Sequence, residues 1–308
     1  MRIVSLLPSA TEIVFALGLG DELVGVTHEC DYPPQARDIP RVTRAVRDPD
    51  RAAAHVLHRL VEGSAQTGTS IYALDERALL DARPDLILTR ALCRTCATGY
   101  REIVELVKRL PGEVSVVDLE PRSVEGVINS IQAIGAMTET EDEAIAIVED
   151  LRERLQAVEQ IVVGRRDHGF VPPRVAAIGW LEPPFAVGGW IPEQVRLAGG
   201  WELLGRDGDR ASEITWAAVR EVDPEVVVLL PAAHDLDAVI EAWERTPRPA
   251  GWGDIRAVQD GRVFAVDASA YFSRPGPRVV DGIEVLAELF DPIAFDGMSP
   301  PDSWVKVG

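Results

Sequence analysis

The sequence predicts an α/β protein of two like lobes with parallel sheets, joined by one long helix. Three observations carry that expectation. Short apolar runs alternate with helical patterns along most of the chain. The series occurs twice, with a short helix before "RPDLIL" in the first half and another before "DPEVVV" in the second. Between the two lies "TETEDEAIAIVEDLRERLQAVEQIVVG", helical in pattern and without glycine or proline until Gly164. With 308 residues, 46% of them hydrophobic, the chain exceeds what one core ordinarily sustains.

The elements follow in order. "RIVSL" is an apolar strand, and "SATEIVFALG" a helix closed by Gly18 and Gly20, with Ser9 and Glu12 spaced as a capping box. "ELVGVT" is a strand that runs into the loop "HECDYPPQ". "DERALLDA" is a helix ending before Pro84, and "DLILT" a strand leading directly into "RALCRTCATG". "YREIVELVKRL" is an amphipathic helix, "EVSVVDL" a strand and "SVEGVINSIQAIGA" a helix. The long helix gathers acidic residues at its start, where the helix dipole favours them, and "RRDHGFVPP" ends it. In the second series "RVAAIG" is a strand followed by the loop "WLEPPFAVGGW". "PEQVRLAG" and "TWAAVREV" are helices, "EVVVLLP" a buried strand, "LDAVIEAWER" a helix, "RVFAVD" a strand and "PRVVDGIEVLAELF" a helix. The expected boundaries are a first lobe at 1–135, connecting helix and linker at 136–170, a second lobe at 171–290 and a turn-rich surface tail at 291–308.

Charge and cysteine usage narrow the function. The net charge of −19 repels phosphate backbones, which argues against nucleic acid and fits solubility. No apolar stretch reaches the length of a membrane span. The start "MRIVSLLPSATEIVFALGLG" superficially resembles a signal peptide, but Pro8 and Glu12 interrupt its apolar run. Three cysteines cannot complete a disulfide framework and read as cytosolic thiols. The expected location is therefore cytoplasmic, or periplasmic or surface-attached if a leader has been removed.

Open parallel sheets bind ligands beyond the carboxyl ends of their strands, and two lobes leave a cleft there. The expected cleft residues are Pro8, Ser9, Asp31 and Tyr32 in the first lobe. In the second they are Trp180, Phe185, Trp190, Trp216, His234, Tyr271, Phe272 and Arg274. All seven tryptophans follow residue 179, and aromatic rings on loops after strands favour binding surface. Trp201, Trp243 and Trp252 read instead as helix or edge packing. Gly-x-Gly-x-x-Gly, a Walker loop and a Gly-x-Ser-x-Gly elbow are all absent from the sequence, and no catalytic residue is expected.

Cys30, Cys93 and Cys96 follow strand ends and should lie on the cleft side, with His28 beside Cys30. Thiolate and imidazole suit zinc, and thiolates suit an iron–sulfur cluster. A redox pair fits less well, because Cys96 precedes its helix by several residues. Direct contact with a ligand metal and plain loop residues complete the alternatives. His55 and His58 read as a solvated helix face.

"VSLLPSATEIVFALGLGDELVGVTHECDYPP", "ARPDLIL", "IGWLEPPFAVGGWIPEQVRLAGG" and "YFSRPGPRVVDGIEVLAEL" together resemble the substrate-binding proteins of cobalamin and iron-siderophore importers, over roughly residues 2–290. The third stretch is similar to their cobalamin-binding branch. The resemblance implies a helical-backbone periplasmic-binding-protein fold, two Rossmann-like lobes with parallel sheets joined by one long rigid helix, with little hinge motion. It also implies non-catalytic binding of a corrinoid, a related tetrapyrrole or a siderophore. An imidazole can replace the lower ligand of cobalamin cobalt, which singles out His234 and His28. Importer-coupled relatives carry a docking glutamate on each lobe. Here those places hold Arg77, beside Glu76, and Ala217, so importer docking is not expected. The competing expectation is a metal- or redox-dependent enzyme or sensor on Cys30, Cys93 and Cys96.

Overall fold

The computed structural model describes residues 1–45, 72–90 and 100–308. They fall into two compact units, 1–120 with 129–147 and 121–128 with 148–308.

In the first unit the chain forms β1 (Ile3–Ser5), α1 (Pro8–Ala16), β2 (Leu23–Val26), β3 (Thr43–Ala45) and β4 (Tyr72–Leu74). There follow α2 (Glu76–Ala82), β5 (Leu86–Thr89), α3 (Tyr100–Val107) and β6 (Ser115–Asp118). Strands β2, β1, β5 and β6 lie in that order as one parallel sheet. Ile3, Val4, Ile87 and Leu88 are fully buried. Central parallel strands bury both faces, which is why these runs do not alternate with polar residues. β3 and β4 pair separately as an antiparallel ribbon.

The capping box expected at Ser9 and Glu12 does not form. Pro8 occupies the first helical turn, and Leu7 is the cap, without a side-chain bond. Proline carries a preset φ and lacks only an N–H that would be unpaired there, so the helix starts earlier and takes Ser9 and Glu12 inside.

Helices α4 (Val124–Thr138) and α5 (Glu141–Asp167) each contribute residues to both units. The long helix expected from sequence is α5, with 27 residues. Glu141, Asp142 and Glu143 lie in its first turn and Arg165 and Arg166 in its last, complementing the macrodipole at both ends. The sequence-based boundary at 135 falls inside α4, and that at 170 just beyond α5.

The second unit contains β7 (Arg174–Leu181), β8 (Pro184–Ala186), α6 (Ile191–Leu197), β9 (Trp201–Glu202), β10 (Ser212–Glu213) and α7 (Trp216–Val222). Next come β11 (Val226–Leu229), α8 (Leu236–Arg245), α9 (Arg256–Gln259) and β12 (Val263–Val266). The last elements are α10 (Ala268–Tyr271), α11 (Val279–Phe290) and β13 (Trp304–Lys306). β7, β11 and β12 are its parallel centre. Two features depart from expectation. The strand expected to stop at Gly179 continues to Leu181 and folds back as β8, which pairs antiparallel with it. The tail, expected to be turn-rich on the surface, also supplies a strand, β13, antiparallel to β12, with Trp304 and Phe264 ring centres 5.6 Å apart. Among the described residues, no helix is long and apolar enough to cross a membrane.

Candidate functional site

The parallel centre of the second unit brings three strand ends together, from β7, β11 and β12. Trp180 lies within β7, opposite Phe185 of β8 in register, and both are half-buried. The indole N–H donates to the Glu182 carbonyl at 3.3 Å. The edge of its ring meets His234 at 5.5 Å between centroids, with the planes at 84°.

His234 ends the short segment after β11. Ala233 before it takes φ +62°, a left-handed conformation uncommon for a residue with a Cβ. Four hydrogen bonds hold the segment there. The Ala233 N–H donates to Ser273 Oγ at 2.9 Å, and the His234 N–H to the Pro231 carbonyl at 3.2 Å. Ser269 N–H donates to the His234 carbonyl at 2.8 Å. His234 Nδ1 lies 2.9 Å from the Ala232 carbonyl. A carbonyl only accepts, so Nδ1 carries the proton.

Beyond β12, Asp267 caps α10 by accepting the Ala270 N–H at 2.8 Å. Burial raises its carboxyl above the usual range, and the Ala270 N–H and the charges of Arg278 and Arg274 oppose that rise. Tyr271 is half-buried, with the Arg278 guanidinium 5.8 Å from its ring centre. Arg274 is half-buried as well. The segment is tied from beneath by Gln194 of α6, whose Nε2 donates to the Val279 carbonyl at 2.8 Å and the Tyr271 carbonyl at 3.2 Å. Gly282 permits this approach, since a Cβ there would sit 2.6 Å from Gln194 Nε2 and 2.7 Å from the Tyr271 carbonyl. Together these strand ends present indole, phenol, imidazole and guanidinium groups on a hydrogen-bonded frame, which suits a large planar ligand with polar edges.

Other residues expected at the site lie elsewhere. Phe272 is 0% exposed and Trp190 8%, because both side chains turn into the core of the unit. Trp216 packs on Trp252 at 5.5 Å and on Trp243 at 6.1 Å, and Trp243 and Trp252 are 5.1 Å apart. This cluster matches the packing expected of Trp243 and Trp252 and adds Trp216 to it. Trp201, expected to pack, is 63% exposed. Asp267 and Arg278 are not among the residues the sequence singles out, although "DASAYFSRPGPR" already places them at and after a strand end.

In the first unit Pro8 is partly exposed, Ser9 buried, and Asp31 and Tyr32 exposed. His28 is half-buried, with Nδ1 2.8 Å from Thr43 Oγ1, and burial lowers its pKa. Cys30 is only 1% exposed, and its sulfur lies 3.1 Å from Thr11 Oγ1 and 3.2 Å from Thr27 Oγ1. The Arg41 guanidinium holds the same turn through the carbonyls of Thr27 and Cys30, each at 2.9 Å. This thiol does not open onto a ligand surface as expected, because α1 covers it. Cys93, Cys96, His55 and His58 lie outside the described residues. Among the described residues, no three His, Cys, Asp or Glu side chains are grouped to hold a metal.

A pocket of about 450 Å³ lies at the opposite end of the second unit's sheet, lined by Arg166, Pro172, Arg196, Trp201, Glu202 and Asp207, among others. It adjoins β9, which pairs with the first residues of β7, and so stands away from the strand carboxyl ends. The Glu202 carboxyl accepts backbone N–H groups from Ala177 at 3.0 Å, Leu204 at 2.9 Å and Gly205 at 3.0 Å. Burial outweighs these bonds and pushes its pKa up to about 7. Its bonds tie β9 to β7, which is a structural role.

A vitamin B12-binding protein of Vibrio cholerae is 26% identical over 286 residues, covering 92% of this chain and 86% of that one. An uncharacterized ABC transporter substrate-binding lipoprotein of Bacillus subtilis, YvrC, is 25% identical over 296 residues, covering 96% and 81%. The crystal structure of a periplasmic heme binding protein from Pseudomonas aeruginosa shares the fold, with a TM-score of 0.70 at 21% identity, covering 95% of this chain and 93% of that one. A family model described as periplasmic binding protein matches residues 3–270. With that match spanning most of its length, the chain belongs to the periplasmic binding protein family.

Proposed function

We propose that the protein binds a corrinoid, without chemistry, at the strand carboxyl ends that carry Trp180, His234 and Tyr271. The observation that supports this most is the Trp180–His234 pair, an accessible indole edge-on to a half-exposed imidazole on a pinned loop. Exposed aromatic and imidazole groups held in place suit a broad, largely apolar ring system. The vitamin B12-binding relative adds support for corrinoid over other ring systems. Calorimetry with cyanocobalamin and cobinamide tests it, with haemin as the competing ligand. Saturable heat with a corrinoid, weakened by Trp180→Ala, is expected. Silence with both corrinoids, or heat with haemin alone, overturns the reading.

The alternative of a metal- or redox-dependent enzyme gains nothing from Cys30, whose thiol two hydroxyl groups hold inside the fold. Stoichiometric zinc or iron in protein grown without corrinoid would restore that alternative. The cytoplasmic location expected from cysteine usage has no support among the relatives, and the lipoprotein relative favours the periplasmic or surface-attached option. Arg77 and Ala217 are both exposed at the places where the resemblance expects docking glutamates, which supports binding that is not coupled to an importer. Under this reading, the ligand-loaded protein leaves the ATPase of a reconstituted corrinoid importer unstimulated.

A further inference from the structure

We infer that His234 is an axial ligand to the metal of the bound ring, donating through Nε2 to the cobalt of a corrinoid. The inference rests on the corrinoid reading above and assigns it an atom.

Three features of the fold point to Nε2. First, Nδ1–H is committed to the Ala232 carbonyl at 2.9 Å. In the neutral ring the other nitrogen then holds the lone pair, and a backbone carbonyl on the far side of the ring fixes the tautomer and raises the donor strength of that nitrogen. Second, the ring is held from the side. The edge-to-face contact with Trp180 at 5.5 Å fixes its plane and still leaves the imidazole half-exposed. Third, the backbone beneath it is held in an uncommon conformation by a second segment of the chain. Ala233 takes φ +62°, which costs about 1–3 kcal/mol for a residue with a Cβ. Ser273 Oγ, from the segment after β12, accepts the Ala233 N–H and holds that conformation. Ser269 N–H holds the His234 carbonyl from the same segment. The segment after β12 thus braces this turn with two hydrogen bonds from outside it. These bonds hold the backbone and Nδ1 in place and leave Nε2 as the nitrogen with the lone pair.

Coordination requires no change of charge or redox state in the protein. The imidazole lone pair forms one bond to cobalt, and a water or other weak axial ligand leaves.

The experiment uses cobinamide, which lacks the nucleotide base that otherwise occupies the lower axial position. Full-length protein is loaded with aquacobinamide, the cobalt is reduced to Co(II), and its electron paramagnetic resonance spectrum is recorded. One axial nitrogen splits each cobalt line into a triplet. The expected result is a triplet in the wild type that becomes a doublet when the protein is labelled with [15N]histidine. The label needs no variant, so it decides the matter even if a substitution disturbs folding. His234→Ala is expected to bind cobinamide more weakly, to lose the splitting when saturated with cobinamide, and to regain it on adding imidazole. Bound cobinamide with no nitrogen splitting in the wild type overturns the assignment and leaves corrinoid binding standing. So does splitting that persists in His234→Ala. No cobinamide binding at all, by calorimetry, overturns the corrinoid reading and this assignment with it.

Discussion

Trp180 is half-buried beside His234, whereas Trp243 is only 2% exposed and sits between two other indoles with the Arg248 guanidinium 3.8 Å above its ring. Replacing each by alanine should therefore damage different properties. Trp180→Ala is expected to weaken cobinamide binding about tenfold, or about 1.4 kcal/mol, while the urea midpoint stays within error. Trp243→Ala is expected to cost about 3–5 kcal/mol of folding stability, read by urea denaturation, because it opens a cavity in a closed cluster. Sequence reasoning puts Trp180 just after a strand and Trp243 on an amphipathic helix, whereas in the structure Trp180 is the half-buried penultimate residue of β7 and Trp243 is enclosed. It misplaces Trp216 and Phe272, because chain position alone does not reveal which way a side chain turns. Cys30 shows the same limit. Its position after a strand is legible, but the cover supplied by Thr11 of α1 is a tertiary contact. In a Cys93→Ser/Cys96→Ser background, the remaining thiol is expected to ignore an aromatic disulfide reagent in native buffer and to react promptly in denaturant. Rapid labelling of the native protein would mean that α1 does not seal it.

At the level of elements, the alternation of apolar runs and helical patterns was enough to locate β1, β2, β5, β6, β11, β12 and the long α5. What escaped were the pieces defined by pairing rather than by their own pattern. β8 exists because β7 passes Gly179 and folds back, and β13 because a proline-rich tail finds the edge of β12. β9 is two residues long, and a carboxyl group helps hold it. That group gives the element a pH signature. The Glu202 pKa rises from an ordinary 4.5 to about 7 because burial outweighs its backbone hydrogen bonds. A carboxyl whose pKa is raised by folding binds its proton more tightly in the folded state. Its contribution is therefore intact below the unfolded value and is lost as pH climbs towards the folded one. Between about pH 4.5 and pH 7 the loss amounts to about 3 kcal/mol. Urea titrations of wild type and Glu202→Gln at both ends of that range test the sign. The variant's stability relative to wild type should improve by about that amount on going to the higher pH, whatever its absolute stability. A constant difference would mean that the carboxyl titrates normally.

For the whole molecule, charge separates the corrinoid proposed above from its competitor, haemin. A net charge of −19 sets up a negative far field that draws in cations and repels anions. Diaquacobinamide is cationic, whereas haemin carries two propionates. Close to the site the balance is finer, since Asp235 and Asp267 stand against Arg274 and Arg278. The field of the whole protein reaches about a Debye length, or about 10 Å at 0.1 M salt, and salt removes it more readily than contacts made at partly buried groups. Binding of diaquacobinamide should therefore weaken several-fold between about 0.05 M and about 0.5 M sodium perchlorate, whose anion is a poor cobalt ligand, and most of the change should fall on the association rate. Haemin should respond in the opposite sense. If salt instead strengthened diaquacobinamide binding, the ligand would be sensing Arg274 and Arg278 rather than the molecule's net charge. A guanidinium pair that dominates in this way would select for carboxylate-bearing rings, and the preference between corrinoid and haem would reverse.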